Sequence, residues 1–309
     1  MPEKSIGQVG GGRDKRTGQI DVALLQSVQR KGEVKDFVAE YGHVIADECH
    51  HLSAFSFEQV MRQVKAKYIV GLTATPVRKD GHQPIIFMQC GPIRHAVNPR
   101  EAVERSPIQH VVLPRNTEFR MPPDLEAATI QDIYAALSAN AERDLQIVRD
   151  ILDAVRERHN PLVLSNRVEH LDRLAAGLSG VEHAVILKGG MGRKQWKAIA
   201  ERLASIPHGT PRVLLATGSY IGEGFDDSRL DTLFLTMPIS WRGTLQQYVS
   251  RLHRIHEGKK IVRVFDYVDA HIPMLARMYE KRIKGYRALG YEFDAPPQPR
   301  DGSPDPNSL

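Results

Sequence analysis

The sequence predicts an α/β fold with mostly parallel sheets, arranged as two domains. Three observations carry this. Short apolar runs of strand length alternate with stretches of helical periodicity over most of the chain. Several of those runs stop abruptly at polar or charged residues, as strands do when their carboxyl ends face a ligand crevice. The length of 309 residues suggests about two hydrophobic cores.

Residues 1–19 are polar and glycine-rich. The run Gly10-Gly11-Gly12-Arg13 invites a phosphate-binding loop, which needs Gly-x4-Gly-Lys-Ser/Thr between a strand and a helix. No Gly-Lys-Ser/Thr occurs in the sequence, and this segment precedes a strand, so it reads as a β-hairpin or surface loop. Ile20 to Leu25 is strand-like and ends at Gln26-Ser27, with a helix expected from there to about Ala39. Ser27 suits a helix cap as well as a ligand contact. Tyr41 to Ala46 reads as a short strand buried on both faces, and it stops at Asp47-Glu48-Cys49-His50. Two adjacent carboxylates at a strand end can divide the labour. One holds Mg²⁺ through water, and the other orients or deprotonates a nucleophilic water. A metal cluster of Cys49, His50 and His51 competes poorly, because three consecutive residues cannot easily aim at one tetrahedral ion. A helix from Phe55 to Gln63 and a second buried strand, Tyr68 to Leu72, come next. That strand ends in Thr73-Ala74-Thr75-Pro76, whose hydroxyls can bond both the acidic turn and a neighbouring loop.

Residues 96–125 are richer in Pro and Arg and read as a connector, with a strand around His110–Pro114. From Asp124 to Arg158 the spacing of Ile130, Ile133, Leu137, Leu145, Val148 and Ile151 is helical. Strands then read at Pro161–Leu164, Ala184–Leu187, Arg212–Ala216, Thr232–Leu235 and Ile261–Phe265. Helical stretches at Glu169–Leu178, Arg193–Ala204 and Thr244–His253 separate most of them, which predicts a parallel, doubly wound sheet. Three strand ends carry polar signatures: Ser165-Asn166-Arg167, Lys188-Gly189, and Thr217-Gly218 with Glu223-Gly224-Phe225-Asp226 beyond it. Arg251 and Arg254 are three apart, so a helix would present both on one face. The last helix ends near Gly290, and residues 295–309, with five Pro, have the composition of a disordered tail.

The bulk numbers set limits. A hydrophobic content of 41% suffices for globular cores, and a net charge of +5 tilts mildly toward a polyanionic partner. Two cysteines argue for a reducing compartment rather than a disulfide framework. No apolar run approaches the roughly 18 residues of a membrane span, and no signal-peptide core opens the chain, so no membrane partner and a cytoplasmic location are expected.

Taken in order, these residues resemble a known set. Asp47-Glu48-Cys49-His50 resembles motif II, the Walker B box, of superfamily 2 helicases of the DEAD/DEAH class. Thr73-Ala74-Thr75 resembles motif III, Ser165-Asn166-Arg167 motif IV, and Ala216 to Asp226 motif V. Gln247-Tyr248-Val249-Ser250-Arg251-Leu252-His253-Arg254 resembles motif VI, with Ser250 where the family has Gly. The text from Gly71 to Gly81 is similar to the XPB-like and restriction-motor branch. The resemblance covers roughly residues 15–270. It implies two RecA-like lobes: lobe 1 at residues 1–95, a connector at 96–140, lobe 2 at 141–290 and a tail at 291–309. It implies ATP and Mg²⁺ between the lobes and nucleic acid, DNA in preference to RNA, across both. Asp47 would hold Mg²⁺ through water. Glu48, His50, Gln247, Arg251 and Arg254 would join it in catalysis, and Glu223, Gly224 and Asp226 would approach the nucleotide. Gln26, Ser27, Ser165, Asn166, Arg167, Lys188, Gly189, Thr217 and Gly218 would meet nucleic acid, while Thr73 and Thr75 would couple the two activities. The family's phosphate loop has no counterpart in these residues. The first lobe is therefore expected to be incomplete and the chain alone inactive, with an upstream polypeptide carrying the loop as a partner. The implied function is part of an ATP-dependent DNA helicase or translocase. The alternative is a non-hydrolysing nucleic-acid- or partner-binding module.

Overall fold

A computed structural model gives the fold and describes residues 5–30, 32–49, 54–73, 83–122, 129–218, 227–239 and 242–294. The chain divides into two compact units, Met1–Ala96 and Val97–Leu309.

Unit 1 opens with a hairpin of β1 (Ile6–Gly10) and β2 (Arg13–Lys15). Gly11 and Gly12 have φ of 58° and 78°, the double positive φ of a type I′ turn, so the glycines serve a hairpin. Strand β3 (Ile20–Ala23) pairs parallel with β1. The helix expected to Ala39 is not there. A single turn, α1 (Leu25–Val28), leads into a second hairpin of β4 (Gln29–Arg30) and β5 (Glu33–Val34), then a 3₁₀ turn at Asp36–Ala39. Gly32, with φ of 86°, supplies the hairpin turn and would weaken a helix interior. Val9, Val28, Val34, Phe37, Val38 and Val60 form a small core.

Strand β6 (His43–Ala46) pairs parallel with β7 (Tyr68–Gly71), with α2 (Ala54–Gln63) between them in sequence and α3 (Gln83–Cys90) after. Both strands were expected to be buried on two faces. Instead Ile45 is 60% exposed and Tyr68 56%, while Val44, Ala46, Ile69 and Gly71 are half-buried. The alternation shows one covered face, because among the described residues β6 and β7 form a two-stranded sheet.

Unit 2 begins with α4 (Pro99–Glu104) and β8 (Gln109–Asn116). Then come α5 (Ile130–Ala139), α6 (Ala141–Arg156), β9 (Pro161–Ser165), α7 (Val168–Gly177) and β10 (Ala184–Leu187). The unit continues through α8 (Arg193–Ser205), β11 (Val213–Thr217), β12 (Thr232–Leu235) and α9 (Arg242–Ser250). It closes with β13 (Ile261–Val268), α10 (Pro273–Ala288) and β14 (Glu292–Phe293). Among the described residues seven strands pair in the order β10-β11-β9-β12-β13-β8-β14, all parallel.

Residues 96–140 are therefore more than a connector. Strand β8 pairs with β13 along eight residues and with β14 on its other edge. The long helix read from Asp124 to Arg158 is two helices broken at Asn140, whose side chain accepts from the Arg143 N–H at 2.8 Å and caps the second.

The sheet is covered on both faces. Leu162, Leu164, Leu214 and Ala216 pack with Leu203, Leu245, Val249 and Tyr286 on one. Val163, Val213 and Leu215 pack with Ile147, Ile151, Leu171 and Leu174 on the other. Among the described residues two ion pairs are fully buried: Arg143 with Asp269 at 2.9 Å, and Arg282 with Asp266 at 2.8 Å. No helix among the described residues is long and apolar enough to cross a membrane.

Candidate functional site

In unit 1 the acidic pair lies where β6 gives way to a turn. Asp47 is exposed, and its Oδ1 accepts from the Glu48 N–H at 2.9 Å. The Cys49 N–H donates to the Leu72 carbonyl at 3.0 Å, which pins the turn to the end of β7. Glu48 is half-buried with φ of 45°, a left-handed backbone that costs a non-glycine residue about 1–3 kcal/mol. Such conformations persist only where the surroundings impose them, and they cluster at functional sites. A hard, exposed carboxylate oxygen suits Mg²⁺ held through water, so Asp47 fits that role. Thr73 is half-buried just past β7. Gln26 and Ser27 lie in the one-turn helix α1, Gln26 exposed and Ser27 half-buried. His50 and Thr75 lie outside the described residues.

In unit 2 the polar strand ends gather at the carboxyl edge of the sheet, where β9, β10 and β11 finish in adjacent register. Asn166 and Gly189 are exposed there. Arg167 donates from its guanidinium to the Gln131 carbonyl at 3.1 Å, and Lys188 Nζ sits 2.6 Å from Asp172. Ser165 is different: it is 2% exposed and turned inward. His170 lies 3.0 Å from its hydroxyl through Nδ1 and 2.9 Å from Asp144 through Nε2. A carboxylate only accepts, and burial holds the His170 pKa below its usual value. Neutral His170 therefore donates from Nε2 to Asp144 and accepts the Ser165 hydroxyl proton at Nδ1. Ser165 Oγ in turn accepts the Arg167 N–H at 3.2 Å. The chain Asp144–His170–Ser165 fixes the loop backbone, and the Ser165 proton is committed inward instead of to a ligand. Asp144 and His170 had no signal in the sequence, since α6 and α7 bring them together from distant positions.

Thr217 is buried at the end of β11, and its hydroxyl has no hydrogen-bond partner among the described residues. Gly218 follows it. A Cβ there would lie 2.0 Å from the Tyr248 hydroxyl oxygen, so any larger residue would force the α9 tyrosine to move. Gln247 is half-buried on the same helix. Glu223, Gly224 and Asp226 lie outside the described residues.

Arg251 and Arg254 do not share a helical face, because α9 ends at Ser250. Two causes are visible. The Ser250 hydroxyl donates back to the Gln247 carbonyl at 2.9 Å, and Lys259 Nζ caps the carbonyls of Leu252 at 3.1 Å and Arg254 at 2.8 Å. Arg251 is half-buried in the following turn and Arg254 exposed beyond it. Between them His253 points inward to the Tyr291 hydroxyl at 2.8 Å, with the His110 ring centroid 4.7 Å away. Burial, with His110 and Lys259 nearby, pushes the His253 pKa down to about 4.

Comparison with known proteins points in the same direction as the motifs. The family described as Type III restriction enzyme, res subunit, matches residues 2–78. A putative ATP-dependent RNA helicase, L396, of Acanthamoeba polyphaga mimivirus is 25% identical over 280 residues, 88% of this chain and 52% of that protein. The DNA 3'-5' helicase XPB of Kineococcus radiotolerans is 30% identical over 198 residues, 61% of this chain and 34% of that protein. The chain is similar to superfamily 2 helicases. Its fold agrees with that of this superfamily. A fragment of a putative HsdR subunit of a type I restriction enzyme from Vibrio vulnificus YJ016 superposes with a TM-score of 0.68 at 18% identity, over 95% of this chain and 54% of that one. The chain spans about half the length of the curated relatives it matches.

Proposed function

We propose that these residues form part of an ATP-dependent nucleic-acid translocase. In this reading unit 1 supplies the carboxylates that handle cation and water, and unit 2 supplies the arginines. The observation that carries it is the turn after β6, an exposed Asp47 beside a Glu48 held in a left-handed backbone. ATP with its Mg²⁺, when bound, supplies the phosphoanhydride bond that water cleaves. Asp47 holds the hydrated cation, and Glu48 orients the attacking water and takes its proton. Arg251 and Arg254 offset the negative charge that develops on the phosphoryl oxygens. The strand ends at Arg167, Lys188 and Gly218 track the backbone of nucleic acid, with DNA preferred because the text from Gly71 to Gly81 is similar to the XPB-like branch.

A second reading is favoured by one fact: the 309 residues contain no Gly-Lys-Ser/Thr. Without a cradle of amides and a lysine, the β- and γ-phosphates are not positioned. The chain by itself would then be a nucleic-acid-binding module, active only with a polypeptide that brings the loop.

ATP hydrolysis by the chain, alone and with a loop-bearing companion, tests both. Negligible turnover alone, restored by the companion and abolished by Glu48→Gln with ATP binding retained, is the expected outcome. Robust hydrolysis by the isolated chain would overturn the second reading. Restored turnover that survives Glu48→Gln would overturn the first. Nucleic-acid affinity should fall steeply with salt for both DNA and RNA probes, with DNA the tighter.

A further inference from the structure

The sequence holds two cysteines, and the fold brings both to one place. Cys49 closes the acidic turn after β6, and Cys90 is the last residue of α3. Both meet Gly71 at the end of β7. A methyl group at Gly71 would stand 3.0 Å from the Cys90 sulfur and 3.2 Å from the Cys49 sulfur. The missing side chain leaves one space that the two sulfurs share. Cys49 is 2% exposed and Cys90 half-buried, so a small reagent reaches Cys90 first.

We infer that Cys49 and Cys90 form a reversible intramolecular disulfide, a redox modification site that ties the Asp47-Glu48 turn to α3. The oxidant is a low-molecular-weight disulfide such as oxidised glutathione. The Cys90 thiolate attacks one sulfur of that disulfide, making a mixed disulfide and releasing one small thiolate. The Cys49 thiolate then attacks the Cys90 sulfur and displaces the second small thiolate. The two protons of the protein thiols end on the two small thiols, and the protein loses two electrons to the reagent. Rotation of the side chains about their Cα–Cβ bonds brings the sulfurs to bonding distance, about 2.05 Å. Burial pushes the Cys90 thiol up to about 11, so at neutral pH the exchange runs over minutes to hours. The bond adds a covalent tie to a turn that the Cys49 N–H anchors to the Leu72 carbonyl.

The test incubates the full chain with oxidised glutathione, quenches with acid, and maps peptides by mass. A parallel sample is unfolded in urea. The fraction of Cys90 adducts that resolve to the Cys49–Cys90 cross-link should be about tenfold higher or more in the native chain than in urea, because the fold holds the thiols together. Cys49→Ser should accumulate a stable glutathione adduct on Cys90, since the resolving thiol is gone. Oxidation should also slow amide exchange at Glu48 and Cys49. Separate glutathione adducts without the cross-link in the native chain, or an equal fraction of adducts resolved to the cross-link in urea, would overturn the site. Unchanged exchange at Glu48 and Cys49 in the cross-linked chain would overturn the tie to the turn.

Discussion

β9 and β6 are both short apolar strands that end in polar residues, and the fold treats them differently. β9 lies between β11 and β12 with helices on each face, and all five of its residues are buried. β6 pairs with β7, and its alternate residues His43 and Ile45 face solvent. Apolar content makes a strand in both places, but the number of layers around it decides what the strand can hold steady. In unit 2 the buried sheet tolerates two fully desolvated ion pairs. In unit 1 the turn beyond β6 carries a strained glutamate on a lightly supported sheet.

The largest expected effect comes from cutting the sheet. A fragment of residues 97–294 keeps all seven strands and should unfold in urea as one cooperative transition. A fragment of 141–290 lacks β8 and β14, strips Val112 and Tyr291 from the core and turns β13 into an open edge. It should unfold at a far lower urea midpoint or show no cooperative transition, and equal midpoints would erase the contrast drawn here. Next in size is Arg143→Ala. It strands Asp269 in the interior and should lower unit 2 stability by about 3–5 kcal/mol in urea titrations. Lys35→Ala, which removes a solvated partner of Asp14 in unit 1, should leave the midpoint in place.

Acid should also separate the units. His253 binds its proton more weakly in the folded chain than in the unfolded one, so its contribution is intact above about 6.5. That contribution is lost as pH falls toward 4, because the unfolded chain takes up the proton first. His110 and His170 shift in the same direction, so unit 2 should lose stability across this window. His253→Leu should flatten the urea midpoint against pH, and an unchanged slope would remove the histidine from the account. A small effect of the opposite sign belongs to unit 1. Glu48→Gly relieves the left-handed backbone and should raise its stability by about 1 kcal/mol in thermal unfolding.

The sheet of unit 2 was largely legible. The strands at Pro161, Ala184, Val213, Thr232 and Ile261 start within a residue of their apolar runs, because strands buried on both faces leave unbroken hydrophobic text. Sheet membership was not legible for β8, whose partner β13 lies some 150 residues away in the chain. The one-sided burial of β6 and β7 was hidden for a related reason, since a four-residue run reads the same with one covering layer or two. The helix read across Gly32 failed on local chemistry that a closer look at that glycine would have caught. The two arginines failed on a helix end set by Ser250 and Lys259, contacts that spacing alone does not reveal. Ser165 was placed at the right strand end, but its proton is taken by His170, which Asp144 orients from another helix.

One contact limits how this chain can change. The Tyr248 hydroxyl fills the place a side chain at 218 would need. Positions 218 and 248 are thirty residues apart in sequence, yet they accept substitution only in a fixed order. Tyr248 must shrink before Gly218 can grow at no cost, and the reverse order passes through a chain in which the Tyr248 ring is displaced. A library randomised at 218 alone would recover glycine and little else, while one randomised at both positions together would recover larger residues at 218 paired with smaller ones at 248.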